Sequence, residues 1–239
     1  MPMTTFKPFK LSAMYHLHKE HGASIAEENG WKCPAYYTSP KTEVEAAKSS
    51  AGMCDVSPMG KFSIQGHDLA TYLPKVVSQA AHLGINKIAL GTISDNSEIP
   101  LTVCHFAQDE AFATCSPDQT EALSKALDSH LAGCAHVVDM TSNFAGIALV
   151  GPAGPKLLSK LTDVNITPMA FPNLSDAQGK LAEVYAIILR SDMGQLPAYQ
   201  LFVGRDFGAY VWEAMLQAGH ELGVAPIGVT ALHQLGGGR

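Results

Sequence analysis

Three groups of residues in this 239-residue chain are of types that do chemistry, and their spacing limits what each can do. His16, His18 and His21 stand close enough to suggest a metal site. On a helix, however, His16 and His18 face different sides and only His18 and His21 share a face, so the three read as surface or capping histidines with no metal bound. The five cysteines, Cys33, Cys54, Cys104, Cys115 and Cys134, are odd in number and contain no C-x-x-C pair. Free thiols in a reducing compartment fit that pattern better than disulfides or zinc. Cys54 and Cys104 read as core thiols, because no histidine is placed to activate either. His105 follows Cys104, but neighbours on a strand point to opposite faces. The third group is GMCDVSPMGKFSIQG, residues 52–66, where Asp55, Ser57 and Gly60 are turn formers and Met59 is a soft apolar residue suited to a pocket wall. The same stretch also reads as a helix-to-strand connector with a structural methionine. Residues 30–40, with Trp31, Tyr36 and Tyr37, read as an aromatic, turn-rich loop whose rings either wall a ligand pocket or pack on the core.

The elements that must position these groups follow from periodicity and punctuation. TEVEAAKSSAG is expected to be a helix with a Thr42/Glu45 capping box and Gly52 at its end. KFSIQG alternates Phe62 and Ile64 with polar neighbours and reads as a half-buried strand. Residues 12–22 read as an amphipathic helix, and residues 67–84 as a helix interrupted at Pro74. KIALGTISDNSEIPLTVCHF and AQDEAFATCS read as strands with turns near Asp95 and Asp109. Ser116 is expected to cap the helix that Pro117 opens. HVVDMT and FAGIALVGP read as a strand pair, PKLLSKLT as a short helix, and VNITPMAFPNLSDAQGK as turn-rich. LAEVYAIILR and AYQLFVG are strands separated by a flexible corner, SDMGQLP, and Asp206 is expected to cap a helix with Phe207, Val211, Ala214, Met215 and Ala218 on its apolar face. Gly151-Pro-Ala-Gly lacks the lysine and serine of a phosphate loop and reads as a turn. The succession predicts an α+β fold of antiparallel sheets with flanking helices and a ferredoxin-like lobe.

Net charge is −6 with scattered basic residues, which argues against nucleic acid or an anionic membrane as partner. No run approaches the roughly 20 apolar residues of a membrane helix, and MPMTTFKPFK lacks the apolar core of a signal peptide, so a cytoplasmic protein is expected.

SSAGMCDVSPMGKFSIQG resembles the S-A-G-L-F-D-V-S-H-M-G-K segment of the glycine-cleavage T-protein (aminomethyltransferase) family. Upstream, SAMYHLHKEHGASIAEENGWKCPAYY is similar to that family's opening helix and turn, with Tyr15, Leu17, His18, Gly22, Gly30, Trp31, Pro34 and Tyr37 in matching places. Downstream, AYQLFV and VWEAMLQAGHELGVAPIG resemble its G-F-E-I-Y-V strand, next helix and V-x-P-x-G turn. The resemblance implies a single T-protein-like folate-binding unit over residues 1–239, built as two interleaved lobes, roughly 1–60 with 140–239 and 61–139. It matches the first two lobes of a three-lobed ring, and the C-terminal barrel has no counterpart in this sequence. The extent is similar to that of the small folate-domain subunit of heterotetrameric sarcosine oxidase, which implies a homo-oligomer or a partner subunit covering the exposed side.

The resemblance also places this chain's residues at the family's polar positions, and they differ. Pro100 falls where the family has an aspartate near the folate's reacting nitrogen, Gln200 where a glutamate reads the pterin, and Leu232 where an arginine follows the turn. Pro58, Ser116 and Met193 fall on a family histidine, asparagine and tyrosine. The expectation is tetrahydrofolate-linked one-carbon transfer of a demethylase type from a small-molecule substrate, with a rewritten active site. Gln200 would orient the pterin, Met59 and Tyr199 would pack it with Trp31 and Ser116 nearby, and Asp95, Glu98 or His105 would handle the proton. The alternatives are a folate-independent lyase or decarboxylase on a small, aromatic substrate, and a non-catalytic folate-binding or assembly subunit.

Overall fold

The computed structural model describes residues 8–93 and 98–237. The chain opens with β1 (Lys10–Leu11), α1 (Tyr15–Glu20), β2 (Ser24–Glu28) and β3 (Trp31–Tyr36), which form a small sheet in the order β1-β3-β2. Residues read as an aromatic loop are thus largely a strand, and β3 buries Trp31, Cys33 and Pro34 on the body of the protein. Next comes α2 (Pro40–Ser49), whose cap is Ser39, not Thr42: Ser39 Oγ accepts from Thr42 N at 3.2 Å and Pro40 takes the first helical position. The helix stops before Gly52, because Ala51 already belongs to β4 (Ala51–Asp55). Every residue of β4 is buried, and a strand covered on both faces shows no alternation to betray it.

After β5 (Gly60–Gly66), α3 (Leu69–Val76) carries Pro74 inside it and ends two residues later. The strands β6 (Lys87–Thr92), β7 (Pro100–Ala107) and β8 (Glu110–Cys115) follow, then α4 (Thr120–His130) and β9 (Ala135–Asp139). Ser116 makes no capping bond; its hydroxyl serves Asp118 instead. The remainder is β10 (Phe144–Val150), α5 (Gly154–Leu158), β11 (Ser175–Leu181), β12 (Val184–Arg190), β13 (Ala198–Gly204), α6 (Gly208–Gly219), β14 (Val224–Pro226) and α7 (Val229–Leu235). Asp206 does not cap α6 by its side chain, and Phe207, in the turn before that helix, is exposed.

One eleven-stranded sheet runs in the order β14-β4-β10-β13-β12-β11-β6-β7-β8-β5-β9, antiparallel except for β14 beside β4. The expected β9–β10 pair does not exist: β9 pairs β5, while β10 lies between β4 and β13. The two halves of the sheet meet at a narrow seam, where β11 and β6 share the single register pair Ser175↔Lys87. One core, with Met53, Ile147, Leu149, Trp212 and Met215, lies under the first half. A second, with Phe62, Ile64, Leu73, Leu101 and Leu127, lies under the other. Between them Ile88, Cys104, Phe112, Ile187, Leu189 and Phe202 close the seam. Each such side chain, taken out of water, stabilises the fold by about 1.5–3 kcal/mol.

Ser175–Leu181 was not expected to be a strand, since Ser, Asp, Gln and Gly punctuate it. It forms because β12 pairs with it along its whole length through a two-residue turn, Ala182-Glu183, with both φ values positive (48° and 65°). That is the twist a tight hairpin needs, adopted by residues that carry a Cβ penalty for it. Glu183→Gly is therefore expected to raise stability by about 0.5–1 kcal/mol, a rise of about 1–3 °C in melting temperature by calorimetry. An unchanged or lower melting temperature would show that the turn is not strained.

Candidate functional site

A cavity of about 370 Å³ opens where the corner after β4 meets the faces of β10 and β13 and the length of α7. Its geometry begins with Gln200, in the middle of β13 and in register with Ala148 of β10 and Leu189 of β12. Because Ala148 is small, the strand beside Gln200 leaves space over the sheet. Gln200 lines that space, and its Oε1 is buried with no hydrogen-bond partner among the described residues. A buried amide oxygen left unpaired costs about 1–3 kcal/mol, which a donor from a ligand or an ordered water would recover.

Asp55, at the end of β4, also lines the cavity but is fully engaged. Its Oδ2 accepts from Ser12 Oγ at 2.6 Å and from His18 Nε2 at 3.0 Å, and its Oδ1 accepts from the Ser57 amide at 2.9 Å. Tyr37 Oη lies 2.8 Å from His18 Nδ1, so the imidazole bridges Asp55 and Tyr37 through its two ring nitrogens. Burial alone would raise the Asp55 carboxyl. The hydrogen bond and charge of His18, then Ser12 and Ser57, outweigh that and hold it below 3.8. His18 is therefore not a surface histidine: α1 turns it inward against Trp212, with ring centroids 4.7 Å apart. Spacing within one helix could not reveal a partner 37 residues away. Cys33 lines the same wall, and burial, with Asp55 and Glu28, pushes its thiol up to about 12, so it is no nucleophile.

The corner between β12 and β13 is rigid where flexibility was expected. Arg190 grips Asp192 through Nε–Oδ1 and Nη2–Oδ2 contacts of 3.0 Å each, its Nη1 donates to the Phe171 carbonyl at 2.7 Å, and Met193 bridges to Leu196. Asp192 thus faces the cavity with its charge already committed. Of the three carboxyl groups lining the cavity among the described residues, Glu28 alone has only a loose partner, His233 Nε2 at 3.9 Å.

The far wall is α7, locked by a buried carboxyl. Glu43 of α2 accepts from the Tyr37 and Thr38 amides through Oε1 (2.5 and 2.9 Å) and from the Gly228 amide through Oε2 (2.8 Å). Gly228 sits so close to β3 that a Cβ would lie 2.0 Å from the Ala35 carbonyl oxygen. This pins the start of α7, which presents Val229, Leu232, His233 and Leu235 to the cavity.

Met59, Ser116, Tyr199 and Gln200 meet at this cavity, with Pro58, Met193 and Leu232. Tyr199 turns its ring into the core, stacked on Phe171 at 6.5 Å, with a hydroxyl that has no partner among the described residues. Trp31 does not line the cavity; its indole is buried with the Lys10 ammonium 5.5 Å from the ring centroid. Glu98 is exposed at φ 47° and Pro100 is exposed opposite Thr92, both off the cavity. His105 is buried on β7 facing away from it, Nδ1 3.1 Å from the Leu83 carbonyl oxygen, and Asp95 lies outside the described residues. Sequence reasoning missed Asp55, Glu28, Glu43 and Asp192: each of the first three has a partner from a distant segment, and the fourth lies in a corner read as flexible.

The class is an α+β fold, with one long, mostly antiparallel sheet and a cavity on its face. Within it the chain belongs to the family of the GCVT N-terminal domain, which matches residues 14–236. An aminomethyltransferase of Anoxybacillus flavithermus is 30% identical over 222 residues, 91% of this chain and 61% of that protein. Sarcosine oxidase subunit alpha of Rhizobium meliloti is 28% identical over 258 residues, 96% of this chain and 25% of that protein. The glycine cleavage system aminomethyltransferase T of Bartonella henselae superposes with a TM-score of 0.82 at 18% identity, covering 95% of this chain and 62% of that one. A chain of the heterotetrameric sarcosine oxidase from Corynebacterium sp. U-96 superposes at 0.65 and 16% identity, over 89% of this chain and 95% of that one. The T-protein-like fold is thus the one observed. The chain spans under two thirds of the length of the aminomethyltransferases it matches.

Proposed function

We propose that this chain binds tetrahydrofolate in the cavity around Gln200 and serves one-carbon transfer of a demethylase type from a small-molecule donor. The observation that carries the reading is the buried, partnerless Oε1 of Gln200 on the cavity face of β13. A pterin's pyrimidine ring offers adjacent N–H donors; a glutamine accepts one of them where a carboxylate would take two. Met59, Leu90 and Leu232 supply apolar walls for a flat ring. Bound tetrahydrofolate would supply the nitrogen that accepts the one-carbon unit. The chain's own groups would orient it, and Glu28 with His233 at the mouth form the pair still free to hold or pass a proton. The sarcosine oxidase relatives support a partner chain, or a second copy, over the exposed side.

Thermal titration with tetrahydrofolate and 5-methyltetrahydrofolate tests this directly. Wild-type protein should be stabilised saturably, Gln200→Ala should bind about 10–100-fold more weakly, and Gln200→Glu should bind more tightly than wild type. A wild-type melting temperature unmoved by either compound ends the folate reading and favours a scaffold refitted for another small ligand.

A further inference from the structure

Lys61 begins β5's alternation just after Gly60, and its side chain is fully buried. None of the cavity chemistry described above uses it. Its Nζ donates to the Ser57 carbonyl at 2.8 Å and to the Met59 carbonyl at 2.7 Å, and lies 5.7 Å from the centroid of the Phe202 ring. Those carbonyls bracket Pro58, and Pro58 and Met59 are cavity wall. The corner's other ties lie mostly before Pro58. Val56 N donates to Gly146 O at 2.8 Å, Ser57 N to Asp55 Oδ1 at 2.9 Å and Met59 N to Val56 O at 3.1 Å, and Ser57 Oγ accepts from Gly146 N at 3.1 Å. Burying an ammonium is costly unless its hydrogen bonds are good, and here they go to the two carbonyls that shape the wall.

The geometry points to Lys61 as a positioning residue for the cavity, its ammonium tying the Ser57 and Met59 carbonyls and so setting the Pro58-Met59 wall against the ligand. The inference rests on the cavity being the ligand site, but the clamp itself is testable without ligand. The charged and titratable groups that act on Lys61 are Asp55, Asp139, Cys115 and Arg205. Burial draws its pKa from 10.5 down to about 8; the acids oppose that shift and Arg205 adds to it. The charge-assisted bonds therefore weaken as pH rises through about 8, while global stability does not fall on this account, because the folded state then holds fewer protons than the unfolded one.

Amide hydrogen exchange of the ligand-free wild type, corrected for intrinsic rates, should show protection at Met59 and Gly60 falling several-fold between pH 7 and 9.5. Lys61→Met should lower that protection about 10-fold at pH 7 without lowering the melting temperature, and should weaken tetrahydrofolate binding about 10-fold. Its affinity should also lose the wild type's extra decline above pH 8. Constant protection at the corner, in the wild type across pH or in the variant, overturns the proposal even if tetrahydrofolate fails to bind the wild type. Lost protection with unchanged affinity would mean that the clamp is structural only, and would overturn its positioning role.

Discussion

Glu43→Ala should lower stability by about 3–6 kcal/mol and dismantle the α7 wall of the cavity. The side chain is buried and is the partner of three backbone amides, those of Tyr37, Thr38 and Gly228. Each donor left unsatisfied in the interior costs about 1–3 kcal/mol, and the alanine adds a cavity term. Local relief is poor, because Gly228 already lies against the β3 backbone and cannot move toward it. Glu43→Gln separates the contributions. Its oxygen can serve Tyr37 and Thr38, but its amide group then faces the Gly228 N–H, so an intermediate loss is expected. Urea denaturation of the two variants provides the comparison, with amide exchange at Gly228 locating the damage. A loss under about 1 kcal/mol in Glu43→Ala would mean that water replaces the carboxyl, and the account of how α7 is held would fail.

The second large effect depends on pH and comes from Asp176 at the seam of the sheet. Asp176 is buried, neither carboxyl oxygen has a partner among the described residues, and it shares a register row with Leu189. The charge of Lys87 gives it some relief, but that ammonium donates to Ser175 Oγ at 3.2 Å. Burial pushes the Asp176 carboxyl up from 3.8 to about 7, with Lys87 offsetting a part. Between those two values the folded state binds more protons than the unfolded state. The stabilising contribution of the neutral acid is therefore intact below about pH 4 and is lost as pH rises through about 7. The full penalty is on the order of 4 kcal/mol. Asp176→Asn, nearly isosteric and never charged, should abolish that slope. At pH 8 it should be more stable than wild type by on the order of 3 kcal/mol, as measured by urea midpoints across a pH series. Parallel pH profiles for the two proteins would show that Asp176 stays ionised in the fold, with Lys87 or water compensating it.

Much of the architecture was legible because it is local. The alternation in KFSIQG placed β5 and the strand reading of AYQLFVG placed β13, and with them Met59 beside one wall of the cavity and Gln200 on another. The proline after Ser116 placed the start of the helical segment that continues as α4. These signals depend on side-chain periods and backbone restrictions within a few residues, so the chain carries them without any partner. The resemblance around residues 49–66 brought the family with it for a related reason: a corner needs particular small and turn-forming residues in a fixed order.

What the tertiary structure alone decided is everything set by pairing across long separations. SDAQGKL is a strand only because β12 folds back on it, and β9 and β10, neighbours in sequence, ended with seven strands between them in the sheet's order and with different partners. His18 meets Asp55, Glu43 meets Gly228, and Lys61 bonds the corner it follows, because burial forces each polar group to find whichever partner the fold brings near. The same rule separated Met59 and Gln200, which reach the cavity, from Glu98 and His105, which do not. Residue type names the chemistry a side chain is capable of, whereas register, the facing of strands and the depth of burial determine whether it meets anything to act on.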